Sequence, residues 1–174
     1  MSESTVKAAP VALVTGASRG IGAAIALELA ARGYQVIGTA TTADGAARIS
    51  QALSAHAGCQ GASLDVNDGA AVSALIERIV KEQGGLQVLV NNAGIGSVDA
   101  FADIPDETWA RVINVNLNGA FYCARQAVRA MQKAGTRGVV INVASTAAAS
   151  GDGPAHYCAS KAALMGLARS MAKE

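Results

Sequence analysis

The chain has 174 residues, 51% hydrophobic but only 3% aromatic, with 19 glycines and a formal net charge of +1. That length predicts one domain with a sizeable core and no need of disulfide staples, and the aliphatic, glycine-punctuated composition suits a parallel sheet covered by helices on both faces. So small a charge argues against nucleic-acid binding by bulk electrostatics, and no apolar run approaches the roughly 18 residues of a membrane span.

In chain order, the first seven residues lack the apolar core of a secretory signal. The segment 11–22 then reads Val-Ala-Leu-Val-Thr-Gly-Ala-Ser-Arg-Gly-Ile-Gly. A short apolar run ending at Thr15 predicts a buried strand, Gly16, Gly20 and Gly22 a tight turn, and the pattern that follows a helix over about 21–32 with Gly33 as its left-handed stop. A strand is expected over 35–39, a helix carrying Ile49 and Leu53 that ends near Gly58, and a weaker strand over 60–64. Asp68 predicts an N-cap for a helix in which Val72, Leu75, Ile76, Ile79 and Val80 form one apolar stripe before Gly84-Gly85. A short strand over 88–90, a loop over 95–105, a long helix over 106–133, a strand over 139–143 and a helix over 157–173 complete the expectation. Strand and helix alternate five times without a linker or repeat. That alternation predicts an α/β fold with a doubly wound parallel, Rossmann-like sheet, whose ligands bind at the carboxyl ends of the strands beside the switch point.

The polar signatures all follow strands. Gly16, Ser18, Arg19, Gly20, Ile21 and Gly22 suit a dinucleotide pyrophosphate, because glycines admit close backbone approach and a helix N-terminus favours phosphate charge. The spacing is G-x-x-x-G-x-G rather than G-x-G-x-x-G, and no Lys-Ser/Thr pair marks a nucleoside-triphosphate loop. Tyr157 and Lys161 stand four apart on one helical face, where the cation favours the phenolate and fits the pair for general acid work. Cys59, Cys123 and Cys158 include no C-x-x-C pair, so a reducing cytoplasm is expected. Neither His56 nor His156 has partners at metal-ligand spacing, and no metal site is expected.

With Asn91-Asn92-Ala93-Gly94, Asn116 and Ser145, these motifs together resemble the short-chain dehydrogenase/reductase family, over nearly the whole chain from Val11 to Lys173. The resemblance implies hydride transfer between a nicotinamide and a carbonyl or secondary alcohol. It implies that Tyr157 protonates the carbonyl oxygen, Ser145 hydrogen-bonds it, Lys161 tunes the tyrosine and binds the nicotinamide ribose, Tyr157 too contacts the cofactor, and Asn116 holds a water of a proton relay. Asp65 and Val66 would flank the adenine, and Asn92, Ala93 and Gly94 would pass beneath the adenosine ribose. NADP(H) is the expected cofactor: no carboxylate follows the second strand until Asp44, and Thr41 and Arg19 could receive a 2′-phosphate. The segment 36–46 is especially similar to the branch of bacterial 3-oxoacyl-acyl-carrier-protein reductases of fatty-acid synthesis. A small-molecule or carrier-protein-linked carbonyl is thus the expected substrate. The resemblance also implies a homo-oligomer formed through the helices at 106–133 and 157–173.

Two departures stand out. The interval from Ser145 to Tyr157 is one residue shorter than in that branch, which leaves Thr146 and Ser150 as alternatives to Ser145. The chain stops at Glu174, where members of the family continue with further strands and a substrate lid, so a truncated version of a longer enzyme is expected. The alternatives are a reductase of another alcohol, sugar or ketone, a catalytically silent cofactor-binding fragment, or an interaction module.

Overall fold

The computed structural model describes residues 9–173, so the reading of the first seven residues lies outside it. The strands are β1 (Val11–Val14), β2 (Gln35–Ala40), β3 (Gln60–Ser63), β4 (Val88–Asn91) and β5 (Val139–Asn142). They form one parallel sheet in the order β3-β2-β1-β4-β5. The helices are α1 (Gly20–Ala31), α2 (Ala43–Ala52), α3 (Gly69–Gln83), α4 (Asp106–Ile113), α5 (Gly119–Lys133), α6 (Ala147–Ser150) and α7 (Ala155–Met171).

Each central strand is buried along its whole length, as a strand covered on both faces must be. Alternation sends Val11, Leu13, Ile37 and Leu89 to the side of α3 and α5, where they meet Val72, Ile76, Cys123 and Ala127. Ala12, Val14, Val36, Val88 and Val90 face the other way, towards Ala26 and Ala30 of α1 and Ile49 of α2. Alanines on α1 let that helix lie close against the sheet. The outermost strand β5 is less covered, with Val139 and Ile141 exposed on the face that Val88 and Val90 share.

The predicted punctuation acts as its chemistry requires. Asp68 accepts from the backbone N–H groups of Ala70 and Ala71, and Gly84 ends α3 in the left-handed conformation at φ +81°. Because β2 and β4 flank β1 on opposite sides, the chain's direction of winding reverses there. The turns after β1, β2, β3, β4 and β5 consequently lie along one sheet edge.

Three expectations need correction. The helix predicted over 106–133 is α4 and α5 joined through a π turn, Asn114–Asn118, in which the Gly119 N–H reaches back to Asn114 O. The helix predicted from Tyr157 starts at Ala155, because Pro154 in extended conformation is a good lead-in. Short helical turns at Phe101–Asp103 and Ala147–Ser150 occupy stretches too brief to show a period.

Candidate active site

The glycine turn is braced from β4. Thr15 is buried; its Oγ1 donates to Val90 O and accepts from the N–H groups of Asn92 and Ala93, both at 3.0 Å. Asn92 Nδ2 returns two bonds, to Thr15 O at 2.9 Å and Gly16 O at 3.0 Å. The turn and the Asn-Asn-Ala-Gly segment thus form one unit. A Cβ on Gly16, whose φ is +66°, would stand 2.9 Å from Ala93 Cα, so both conformation and space require glycine.

Helix α1 begins without a side-chain cap, and its first turn carries no acid. Helices α2 and α3 are capped by Thr42 and Asp68. The first N–H groups of α1 therefore find no capping side chain, and they open onto a cleft of about 650 Å³. All twelve turn and strand-end residues expected at a cofactor line this cleft: Gly16, Ser18, Arg19, Gly20, Ile21, Gly22, Thr41, Asp65, Val66, Asn92, Ala93 and Gly94. An uncapped N-terminus, Gly16 and Gly22 with no room for a side chain, and an exposed Arg19 fit a dinucleotide. Asp65 accepts from the Asn67 N–H at 2.9 Å, a turn that fixes the end of β3.

The sequence reading missed Thr39, Ala40, Leu64, Asn67, Ile95, Arg111 and Val115 of the cleft wall. Arg111 and Val115 are four apart on one helical face, a spacing that could have flagged them. Leu64 and Asn67 flank the Asp65-Val66 pair. Nothing local marks Ile95.

Tyr157 and Lys161, also expected at the cofactor, do not line that cleft; they meet it at Gly94 and the residues after it. Lys161 is only 5% exposed, donates from Nζ to Val143 O at 2.8 Å, and lies 5.8 Å from the centre of the Tyr157 ring. A Cβ on Gly94 would be 3.4 Å from Lys161 Nζ and from Asn116 Oδ1; one on Gly96 would be 3.5 Å from the Tyr157 ring. Burial pushes the Lys161 ammonium below the ordinary lysine value. The penalty falls on the charged form, so the folded chain is least favoured below that lowered pKa. It gains stability as pH rises from there towards the ordinary lysine pKa, where the unfolded chain holds the extra proton.

Asn116, 1% exposed, is bonded to residues remote in sequence and not to its own helix. Its Oδ1 accepts from Ile95 N–H at 2.8 Å, and its Nδ2 donates to Ile95 O at 2.9 Å and Ser160 Oγ at 3.0 Å. Ser160 passes the link on to Tyr157 O at 2.8 Å. The π turn carries this side chain where the helix would otherwise hold only local contacts. Asn116→Ala strands the Ile95 N–H and C=O together, and is expected to destabilise the chain by about 2–4 kcal/mol in urea unfolding. A loss under about 1 kcal/mol would show that water replaces both bonds.

Ser145 is half-buried, and its Oγ accepts from Ala147 N–H at 3.2 Å, leaving its hydroxyl proton unassigned to any partner. Ser150 is exposed and accepts from Asp152 N–H at 3.1 Å, and Thr146 is exposed. Cys123 is a core residue whose thiol burial pushes up to about 12. Among the described residues, no group of three His, Cys, Asp or Glu side chains could hold a metal ion, and no helix is long and apolar enough to cross a membrane.

Comparison with known proteins identifies the family. A family profile of the short chain dehydrogenases matches residues 10–174. The chain belongs to the short chain dehydrogenase family. It is 44% identical over 165 residues to the 3-oxoacyl-(acyl-carrier-protein) reductase FabG of Escherichia coli K12, and the match covers 94% of this chain and 66% of that protein. To the protein of the same name from Pseudomonas aeruginosa it is 45% identical over 167 residues, 94% of this chain and 67% of the relative. A solved structure from Sinorhizobium meliloti 1021, described as a candidate short-chain alcohol dehydrogenase, superposes with a TM-score of 0.84 at 37% identity. That superposition covers 96% of this chain and 67% of the other. The chain therefore spans about two thirds of the length of these short chain dehydrogenases.

Proposed function

We propose that this chain carries the cofactor half and the proton-transfer residues of an NADP(H)-dependent carbonyl reductase acting on 3-oxoacyl thioesters. The observation that carries the reading is the meeting of Lys161, Asn116 and Tyr157 at the Gly94 to Gly96 loop, where the glycine-turn cleft ends. A nicotinamide bound there supplies hydride, and the carbonyl oxygen gains negative charge as it arrives. The Tyr157 phenol donates a proton to that oxygen and the Ser145 hydroxyl a hydrogen bond, since the developing charge needs donors. Lys161, held by Val143 O, keeps a cation beside the tyrosine ring and within reach of a ribose. Asn116 retains one Oδ1 lone pair for a water leading away from Lys161.

The substrate class is supported by the relatives named as 3-oxoacyl-(acyl-carrier-protein) reductases at 44–45% identity. The preference for NADP(H) is supported by Arg19 and Thr41, both exposed on the cleft wall, and by a chain that carries no carboxylate from the end of β2 until Asp44. Wild type is expected to oxidise NADPH with acetoacetyl thioester far faster than NADH. Arg19→Ser is expected to raise the KM for NADPH by about tenfold or more and to leave NADH little changed, since a charge-assisted phosphate bond is lost. NADPH binding without oxidation would defeat the reductase reading for this chain and leave a cofactor-binding unit. A cytoplasmic location accompanies the substrate proposed.

The same reading makes the chain a homo-oligomer through α4, α5 and α7, supported by the exposed Trp109, Phe121 and Met165 on those helices. A monomer mass in sedimentation at micromolar concentration would count against it.

A further inference from the structure

The loop leaving β4 crosses the proposed site between Gly94 and Ser97, and Asn116 holds its beginning through the two bonds to Ile95. Its far end is held by a residue with no part in the chemistry above. His156 precedes Tyr157 in the first turn of α7 and is fully buried, at 0% exposure. Its Nε2 lies 2.8 Å from Ser97 Oγ and 3.7 Å from Asp99 Oδ2. Ser97 gives its single hydroxyl proton to Asp99 Oδ2 at 2.5 Å, so towards the imidazole the serine oxygen can only accept. The hydrogen between them therefore sits on Nε2, while Nδ1 is buried with no partner among the described residues.

Serine and carboxylate meet the same ring nitrogen. A nucleophilic triad instead places them at opposite nitrogens, with the serine exposed to substrate. The cluster is a strut between a loop and a helix.

We propose that His156 is a positioning residue: its Nε2–H bond to Ser97 pins the 94–97 loop against the start of α7, and so holds Gly94 and Gly96 against Lys161, Asn116 and Tyr157. Two features support this beyond the bond itself. His156 and Tyr157 share one backbone junction, so the loop is referenced to the tyrosine by a single peptide unit. A buried imidazole with one unpaired nitrogen is costly, and an apolar side chain would fill the same space without that cost. The directed bond to Ser97 is what the histidine adds.

The decisive measurement reads the loop itself and needs no turnover. In His156→Ala, the Ile95 amide, which donates to Asn116, is expected to exchange with solvent at least about tenfold faster, while the Leu13 and Leu89 amides of the central strands keep their rates. Ser97→Ala is expected to reproduce this. His156→Gln, whose terminal N–H can replace Nε2–H, is expected to recover most of the protection. An unchanged Ile95 rate in His156→Ala would overturn the proposal. Equal acceleration at Ile95, Leu13 and Leu89 would also overturn it, by reducing His156 to a contributor to global stability.

A kinetic arm rests on the reductase reading. There kcat is expected to fall about tenfold or more with the NADPH KM nearly unchanged, the signature of lost alignment and not lost binding. A raised KM with intact kcat would contradict it. If wild type shows no turnover, the reductase reading fails while hydrogen exchange still decides the role of His156.

Discussion

Tyr157→Phe is expected to lower turnover of acetoacetyl thioester by about 10² to 10⁴, the range that one positioned general acid supplies, with NADPH affinity within about threefold of wild type. The substitution removes one oxygen and little else. The ring keeps its place against Gly96, and Lys161 Nζ, 5.8 Å from the ring centre, keeps both its aromatic neighbour and its bond to Val143 O. Tyr157 is only half-buried, so losing the hydroxyl leaves no stranded partner in the interior. The unfolding free energy is therefore expected to change by less than about 1 kcal/mol. Paired measurements of turnover, NADPH titration and urea unfolding separate these effects. Retention of more than about a tenth of wild-type turnover would remove Tyr157 from the proton transfer.

Gly22→Ala is expected to cause the largest loss of stability in the glycine turn, about 3 kcal/mol or more, where Gly20→Ala costs only about 1–2 kcal/mol. The two glycines belong to one motif for different reasons. Gly20 has φ +58° and nothing within 4 Å of the point a Cβ would occupy, so a side chain there meets open space and suffers only the left-handed backbone penalty. At Gly22 a Cβ would overlap both Gly16 O and Asn92 Nδ2, the pair whose hydrogen bond ties the turn to β4. Relieving that overlap breaks the brace and moves the N–H groups at the start of α1. NADPH affinity should consequently fall by at least about tenfold in Gly22→Ala, equivalent to about 1.4 kcal/mol of lost phosphate interaction. Similar stabilities for the two variants would mean that the turn relaxes freely and that the Asn92 brace is weak.

Much of this architecture is legible along the chain because it depends on local spacing. The stripe Val72, Leu75, Ile76 and Ile79 announces α3, and those residues are buried together on one side of the sheet. Asp68, Gly33 and Gly84 mark helix ends through their own side-chain or backbone chemistry, which needs no distant partner. The five strands and their parallel direction follow from regular alternation with helices. The twelve residues placed at the phosphate and adenine end sit in the turns that follow β1 to β4 or in the first turn of α1, and the sheet brings these turns to one edge.

What could not be read there depends on partners far apart in sequence. Asn116 lies within an apparently continuous helical pattern. Its bonds to Ile95 and Ser160 exist only because the π turn packs against α7 and the loop after β4, and that turn has no local sequence period. Ser160 looks like a spacer within Tyr-x-x-x-Lys until the fold sets it between Asn116 and Tyr157 O. His156, isolated by spacing, gains its role from a loop some sixty positions earlier, through Ser97. Periodicity and motif spacing record which face of an element is buried. Which polar atoms meet across that buried space is a matter of tertiary packing, since each such bond needs two segments held at hydrogen-bond distance with water excluded.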